Sequence, residues 1–213
     1  MSKSFLGGMA ASFMLKVGLT GSIAVGKSNV CAILGELGCV VLDADQTARD
    51  VVAAGSTGLR QVVEAFGPDV LSARGELDRS RLATIVFSDP EKLAILNSIV
   101  HPLVISEQDL WLADREAENP DGIAVIDAAL MIESGGYKRF TKLIVVWCEP
   151  AIQLARLMLR GNLDRREAEK RIGAQMPQNE KKAFADFLID TSNGYEDARR
   201  QTIEVFERLS QIR

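Results

Sequence analysis

This sequence has few histidines and cysteines and fewer basic than acidic residues, and each of these features argues against a class of function. The 213 residues include one histidine and three cysteines, and 25 Lys and Arg are outnumbered by 29 Asp and Glu, so the net charge is −4. An acidic chain is not expected to present a broad nucleic-acid-binding surface, so an anionic substrate must be held by local clusters of Lys and Arg. The cysteines Cys31, Cys39 and Cys148 lack the spacing of metal ligands, and we predict buried, reduced thiols.

Long hydrophobic runs are also absent. No apolar stretch approaches the ~20 residues that a membrane-spanning helix needs. We therefore predict a cytoplasmic protein without a membrane or nucleic-acid partner; its oligomeric state stays open. Residues 1–13 carry Lys3 and several small residues but only a weak apolar segment, so we interpret them as a flexible extension. Residues 14–213 suit one domain with insertions.

What the sequence does contain is a complete phosphate-binding motif: Gly21, four variable residues, Gly26, Lys27 and Ser28. The glycines let successive N–H groups point at an anion, Lys27 supplies a charge for the β and γ phosphates, and Ser28 supplies a hydroxyl for Mg²⁺. A short apolar strand precedes the motif and a helical pattern follows it, as this loop requires. We predict ATP as the phosphoryl donor. The residues predicted to bind it are Gly21, Ser22, Ile23, Ala24, Val25, Gly26, Lys27, Ser28 and Asn29.

Short apolar runs alternate with helical patterns along the chain, which predicts an α/β fold: a P-loop NTPase-like parallel sheet flanked by helices. Residues 58–118 are too long for a simple crossover, and we predict a helical acceptor-binding insertion with a long helical region at 78–118. Residues 151–182 are predicted to be a helical lid. The core would then comprise 14–57, 119–150 and 183–213. The predicted strands are 15–20, 40–42, 123–127, 143–148 and 187–189, and the predicted early helices are 46–53 and 58–66.

The predicted lid is rich in arginine, which phosphoryl transfer needs around the γ phosphate. Arg156 and Arg160 share one helix face at i, i+4 spacing and are expected to converge on phosphate. Of the two, Arg160 is the predicted catalytic lid residue. Arg165 and Arg166 alternate with acidic residues, so ordinary surface pairing is expected there.

Two carboxylates, Asp43 and Asp45, follow the second predicted strand, at the sheet edge where ligands bind in doubly wound folds. One of them can face the phosphates while the other supports the loop or caps the next helix. Asp45 is either that N-cap or the base that orients an acceptor hydroxyl, and we assign it the second role. Asp127 ends another strand and either contacts the metal through water or is structural.

Beyond these features, the sequence resembles the dephospho-CoA kinase family along nearly its whole length. The segment from Leu19 to Ser28 is similar to the family's phosphate loop, and Asp43-Ala-Asp-Gln-Thr-Ala-Arg49 is similar to its acceptor-side motif. Further similar segments follow in the family's order: Gly75-Glu-Leu-Asp-Arg79, Val86-Phe87, His101-Pro102, the run ending at Glu133, and Arg171-Ile-Gly-Ala-Gln175.

The resemblance implies ATP-dependent phosphorylation of the ribose 3′-hydroxyl of dephospho-CoA, the last step of coenzyme A synthesis. It also implies that the insertion binds the acceptor, that Arg160 lies in a lid over ATP, and that Thr20 and Arg49 help to place the acceptor. His101 is the only histidine; its apolar helical context before Pro102 favours a packed or acceptor-contacting imidazole over a general base.

The sequence departs from the family pattern at two places. Asn29 stands where many relatives have Thr or Ser, and Ala128-Ala129-Leu130 replaces the usual Pro-Leu-Leu. Neither change removes a charge, but the second is expected to alter the wall beside the acceptor.

Two other functions remain open at this stage. Another nucleoside or nucleotide kinase would share the donor loop, because that loop does not identify the acceptor. An ATPase switch module is the more distant alternative, and the absence of an Asn-Lys-x-Asp segment counts against a GTPase switch.

Overall fold

The computed structural model describes residues 13–212, so the predicted extension lies, apart from Phe13, outside the described residues. Within that range the strands form one five-stranded sheet with the order β2-β3-β1-β4-β5, and every neighbouring pair is parallel. The predicted α/β fold with a parallel sheet is therefore confirmed. The strands are Leu15–Thr20 (β1), Val40–Asp43 (β2), Ile123–Asp127 (β3), Lys142–Trp147 (β4) and Phe187–Asp190 (β5).

The central strands are buried on both faces because helices cover the sheet on both sides. On one side, Val17 and Leu19 of β1 pack into a cluster that also contains Leu34 and Leu209. Alternate positions of β3, such as Ile126, pack into a second cluster on the other side. Each fully buried aliphatic side chain of this kind contributes about 1.5–3 kcal/mol relative to exposure.

Helices alternate with the strands along the chain. No helix in residues 13–212 is both long and apolar enough to cross a membrane. The helices are Lys27–Glu36 (α1), Ala44–Asp50 (α2), Thr57–Phe66 (α3), Arg79–Phe87 (α4), Pro90–Glu118 (α5), Pro150–Gly161 (α6), Arg165–Gly173 (α7), Gln178–Lys182 (α8) and Tyr195–Ser210 (α9).

The insertion contains α3, α4 and α5, and it has a hydrophobic cluster of its own that includes Val62, Leu82 and Val86. The helical region predicted over 78–118 consists of two helices, since α4 ends at Phe87 and α5 begins at Pro90. Asp89 caps α5 by accepting hydrogen bonds from two backbone N–H groups, and proline at the first helical position suits this start.

The predicted lid region consists of three helices. α6 ends at Gly161, and its C-cap residue Asn162 adopts a left-handed conformation (φ 45°). Pro177 directly precedes α8. α6 is amphipathic: Gln153 and Leu157 are buried, whereas Leu159 and Arg160 are exposed. One face of α6 is therefore fixed against the core while the other remains open to a ligand.

Candidate active site

The phosphate loop joins β1 to α1 and requires glycine at defined points. A Cβ at Gly21 would lie 2.4 Å from the carbonyl oxygen of Val146, which leaves no room for a side chain. Gly26 (φ 91°) and Ala24 (φ 62°) are both left-handed, a conformation that is costly for alanine. Alternation of such conformations turns backbone N–H groups toward one point and creates an anion-binding concavity.

Lys27, in the first turn of α1, faces Asp127 at the end of β3. The Lys27 Nζ and Asp127 Oδ1 atoms lie 3.7 Å apart, and both side chains are largely buried. Cys31 donates a hydrogen bond from Sγ to Asp127 Oδ2 at 3.6 Å. Burial raises the pKa of Asp127, and the charge of Lys27 opposes that rise. Burial and the neighbouring Asp127 charge raise the pKa of the Cys31 thiol, so this partly buried cysteine is protonated.

The residues around Asp127 fit a magnesium ion that takes its other ligands from phosphate and water. Asp127 Oδ1 is buried and has no hydrogen-bond partner among the described residues. The exposed Ser28 stands one residue after Lys27. Within residues 13–212 no group of three or more His, Cys, Asp or Glu could hold a metal by itself. Hydroxyl and carboxylate oxygens are the ligands that Mg²⁺ prefers, and Mg²⁺ usually keeps several waters.

The carboxylates of Asp43 and Asp45 have different surroundings. Asp43 is the N-cap of α2, and its Oδ1 accepts from the N–H groups of Asp45 and Gln46 at 2.9 and 3.0 Å. The alternative in which Asp45 caps this helix is therefore wrong, because Asp45 lies inside the first turn. The pKa of Asp45 is raised, chiefly by burial of its carboxyl group, while the positive charge of Lys27 opposes the rise.

A cavity of about 380 Å³ lies between α2, α4, α5 and the segment after β3. Its floor is apolar, and Ala128 contributes to its wall at the position where the sequence departs from the family pattern. Its polar lining residues are Asp45, Arg79, Asn97, His101, Gln108, Ser134 and Arg139. The cavity therefore offers an apolar surface, cationic groups and the Asp45 carboxylate to one acceptor molecule.

Neither Thr20 nor Arg49, which are expected to help to place the acceptor, lines the cavity itself. Thr20 is fully buried, and its hydroxyl donates to the carbonyl oxygen of Ala128 at 2.8 Å. Its hydroxyl thus supports the segment that forms the cavity wall, and its role in placing the acceptor stays a prediction. Arg49 is exposed on α2, one turn beyond Asp45, and its Nη1 donates to Gln46 Oε1 at 3.4 Å. It does not line the cavity.

The lid arginines also differ from one another. Arg156 donates to Thr191 Oγ1 at 2.9 Å and to the Thr191 carbonyl oxygen at 2.7 Å, and Thr191 in turn donates to the carbonyl oxygen of Val25. Arg156 is thus held beside the phosphate loop, with its Nη1 3.6 Å from the position that a Cβ would take at Gly26. Its convergence on phosphate with Arg160 stays a prediction. Arg160 is exposed and makes no ion pair with the described residues. Arg165 pairs with Glu169 at 2.7 Å, as predicted.

Sequence reasoning missed four polar residues near the loop: Gln153, Gln175, Gln178 and Lys181. Lys181 is fully buried and pairs with Glu133 at 2.8 Å. Burial lowers the pKa of Lys181, and the hydrogen bond to Glu133 opposes this. Only Gln175 carried a signal, since it ends one of the family-like segments; the other three lie in a polar stretch or on an amphipathic helix without a distinguishing pattern.

The phosphate loop, the acidic residues and the adjoining cavity can be set beside known proteins. The family model described as dephospho-CoA kinase matches residues 15–197. The chain belongs to the dephospho-CoA kinase family. Its relatives in this family include the dephospho-CoA kinase domain-containing protein of Danio rerio, which is 44% identical over 199 residues, 92% of this chain and 86% of the relative. The dephospho-CoA kinase of Cutibacterium acnes is 44% identical over 202 residues, 94% of this chain and 87% of the relative.

Solved structures agree with this family assignment. A protein from Thermus thermophilus superposes with a TM-score of 0.80 at 30% identity, over 92% of this chain and 97% of that protein. The dephospho-CoA kinase from Campylobacter jejuni gives a TM-score of 0.62 at 26% identity, with the same coverage. The resemblance inferred from the sequence is therefore confirmed. A shikimate kinase from Acinetobacter baumannii, at 16% identity and a TM-score of 0.51, shares the P-loop kinase fold.

Proposed function

We propose that this chain transfers the γ-phosphoryl group of ATP to the ribose 3′-hydroxyl of dephospho-CoA, which gives coenzyme A. The observation that carries the proposal is the position of Asp45. Its carboxylate lines the acceptor cavity and is also within electrostatic reach of Lys27 in the phosphate loop. One side chain therefore faces both substrates. Family membership favours this acceptor over that of another nucleoside or nucleotide kinase.

The donor side of the mechanism consists of the loop amides and Lys27. Amides of the loop hold the phosphates, apart from the Ile23 N–H, which donates to Gln175 Oε1. Lys27 neutralises negative charge that develops during transfer. Ser28, and Asp127 through water, would hold Mg²⁺. When bound, that ion neutralises phosphate charge. Asp127 Oδ1 is buried and accepts no hydrogen bond from the described residues, which supports this assignment.

The acceptor side depends on Asp45 as the proton acceptor. Partial burial raises its pKa, which makes the ionised carboxylate a stronger base than an ordinary aspartate. The ionised form must be present, so the rate is expected to fall as the pH drops through this raised pKa. His101 lines the same cavity and is assigned to acceptor binding. Arg49 is exposed one turn after Asp45 on α2 and is assigned to the same task when the acceptor is bound.

The lid contributes Arg160. Its guanidinium is exposed in the last turn of α6 and makes no ion pair with the described residues, so it is free to approach the transferring phosphoryl group. Closure of such a lid excludes water and favours transfer to an alcohol over hydrolysis. A cytoplasmic location stays a prediction.

Product analysis tests the proposal. Purified protein and Mg-ATP are mixed in separate reactions with dephospho-CoA and with each member of a panel of nucleosides and nucleotides. The products are identified by mass and by the position of the new phosphate. With dephospho-CoA, we expect the two products coenzyme A and ADP to form in equal amounts. A Lys27→Ala preparation controls for contaminating kinases. Phosphorylation of a nucleoside but not of dephospho-CoA would contradict the proposal.

A further inference from the structure

The backbone N–H and carbonyl groups of Ile23, in the middle of the phosphate loop, are both hydrogen-bonded by glutamine side chains of the lid region. The Ile23 N–H donates to Gln175 Oε1 at 2.7 Å, and the Ile23 carbonyl oxygen accepts from Gln153 Nε2 at 2.8 Å. Gln153 is 2% exposed. The region assigned as a lid therefore already contacts the donor loop through its backbone.

Gln153 is itself held in one orientation. Gln178 Nε2 donates to Gln153 Oε1 at 2.7 Å, and the N–H of Cys148, just after β4, donates to Gln178 Oε1 at 3.0 Å. Each carboxamide donates at one end and accepts at the other, so each fixes the orientation of the next. A continuous chain of hydrogen bonds thus runs from the end of β4 to Ile23.

Gln175 is anchored from a different direction. It begins a segment, residues 175–181, that we call the strap. The Met176 N–H donates to Glu133 Oε1 at 3.2 Å, and the buried Lys181 Nζ lies 2.8 Å from Glu133 Oε1 and 2.8 Å from the carbonyl oxygen of Ala129. The position of Gln175 is therefore set by an ion pair on the segment after β3, outside the donor loop.

The backbone conformation of Ala24 explains why the loop depends on these contacts. Ala24 follows Ile23 and is left-handed, although it carries a Cβ. Such a conformation persists where the surroundings over-determine it, and it is typical of ligand-binding loops. The residue on the other side, Val25, is also held, because its carbonyl oxygen accepts from Thr191 Oγ1 at 2.7 Å. Side chains from the lid region and from the end of β5 thus restrain both neighbours of Ala24.

We propose that Gln175 is a positioning residue that holds the phosphate loop in its donor-binding conformation, so that the strap and the donor site form one unit. Gln175 acts through the Ile23 backbone and not on the reacting atoms. This inference deepens the proposed function and rests on it only for the identity of the donor as ATP.

The test uses Gln175→Met, which keeps the length of the side chain and removes the amide oxygen. Gln61→Met on the exposed surface of α3 is the matched control. Amide hydrogen exchange, followed by NMR, is measured at Ile23 and in β1. Binding of a nonhydrolysable ATP analogue is measured by calorimetry. In Gln175→Met, Ile23 should lose protection while β1 keeps it, and the analogue's dissociation constant should rise about tenfold, as expected for one lost hydrogen bond.

Two further measurements separate positioning from a general loss of structure. The KM for dephospho-CoA should stay within about twofold of wild type in Gln175→Met, because the acceptor cavity does not include this residue. Gln175→Glu keeps an oxygen that can accept from Ile23 and should restore the protection of that amide.

The inference is overturned if Ile23 exchanges freely in the wild-type protein. It is also overturned if Gln175→Met binds the analogue as tightly as wild type, or no more weakly than Gln61→Met. Analogue binding needs no acceptor. A wild-type protein that binds the analogue but does not phosphorylate dephospho-CoA would contradict the proposed function, whereas the Gln175 result alone decides this inference.

Discussion

Replacing Asp45 by Asn should nearly abolish phosphoryl transfer without destabilising the protein. A side chain that accepts the acceptor's proton contributes about 10²–10⁴-fold to the rate, so kcat should fall by that amount. Stability should be unaffected or slightly higher at neutral pH. Because burial raises the pKa of Asp45, its ionised form is less favourable in the folded than in the unfolded chain, and Asn removes that cost.

Replacing Asp43, two residues before Asp45, should instead change the stability of the protein. Its Oδ1 accepts hydrogen bonds from the backbone N–H groups of Asp45 and Gln46. Asp43→Ala removes this N-cap and should cost about 1 kcal/mol. In a chain of this size that corresponds to about 2–4 °C in melting temperature. Asp43→Asn is the matched control, because Asn caps a helix about as well as Asp while it removes the charge.

The assay combines steady-state kinetics, by ADP release with saturating dephospho-CoA, with thermal melting of the same samples. In the wild-type enzyme, kcat/KM should also fall as the pH drops through the Asp45 pKa, which lies above the ordinary value of 3.8. Near wild-type turnover of Asp45→Asn would refute the reasoning. So would an equal loss of activity in Asp43→Asn.

Other substitutions test separate contacts. Lys27→Ala should lower kcat at least about 100-fold, because it removes a charge that stabilises the transition state; near wild-type turnover would contradict its role. Asp127→Asn should raise the melting temperature at pH 7, because it removes a carboxylate whose ionised form is disfavoured by burial, and it should raise the Mg²⁺ concentration for half-maximal activity. Because the folded-state pKa of Asp127 is raised above its ordinary value of 3.8, the destabilisation begins above 3.8 and is complete above the raised pKa, so the stability gain should vanish in acid. Lys181→Met should cost about 3 kcal/mol in urea unfolding, because it leaves the Glu133 carboxylate unpaired, and adding Glu133→Leu should recover part of that loss. A single variant as stable as wild type would show that the pair is dispensable.

The sheet and the phosphate loop could be predicted because their signals are local. A run such as 143–146 is apolar on both faces, and the glycine spacing of the loop is a steric requirement that Gly21 and Val146 show directly. The break between α4 and α5 was missed although its signal was present. Asp89 followed by Pro90 is a helix start, and the helical pattern on either side concealed it.

The detail of the site could not be predicted in the same way. Asp43 and Asp45 are the same residue type in the same turn, and which of them caps α2 depends on the extended backbone of Asp43 (φ −84°, ψ 104°). The burial of Thr20 depends on the segment after β3, more than 100 residues away. The contact between Ile23 and Gln175 joins residues 152 positions apart. Such pairings follow from packing of the whole chain and leave no periodic pattern in the sequence.

The central claim is that Asp45 presents the acceptor hydroxyl to a phosphoryl group held by the phosphate loop. A crystal structure with a nonhydrolysable ATP analogue and dephospho-CoA tests it most directly. We expect the analogue's phosphates against the amides of residues 21–29 and the ribose 3′-hydroxyl about 2.6–3.2 Å from the Asp45 carboxylate. A 3′-hydroxyl bound away from Asp45 in that ternary complex, or an analogue bound outside the loop, would contradict the account.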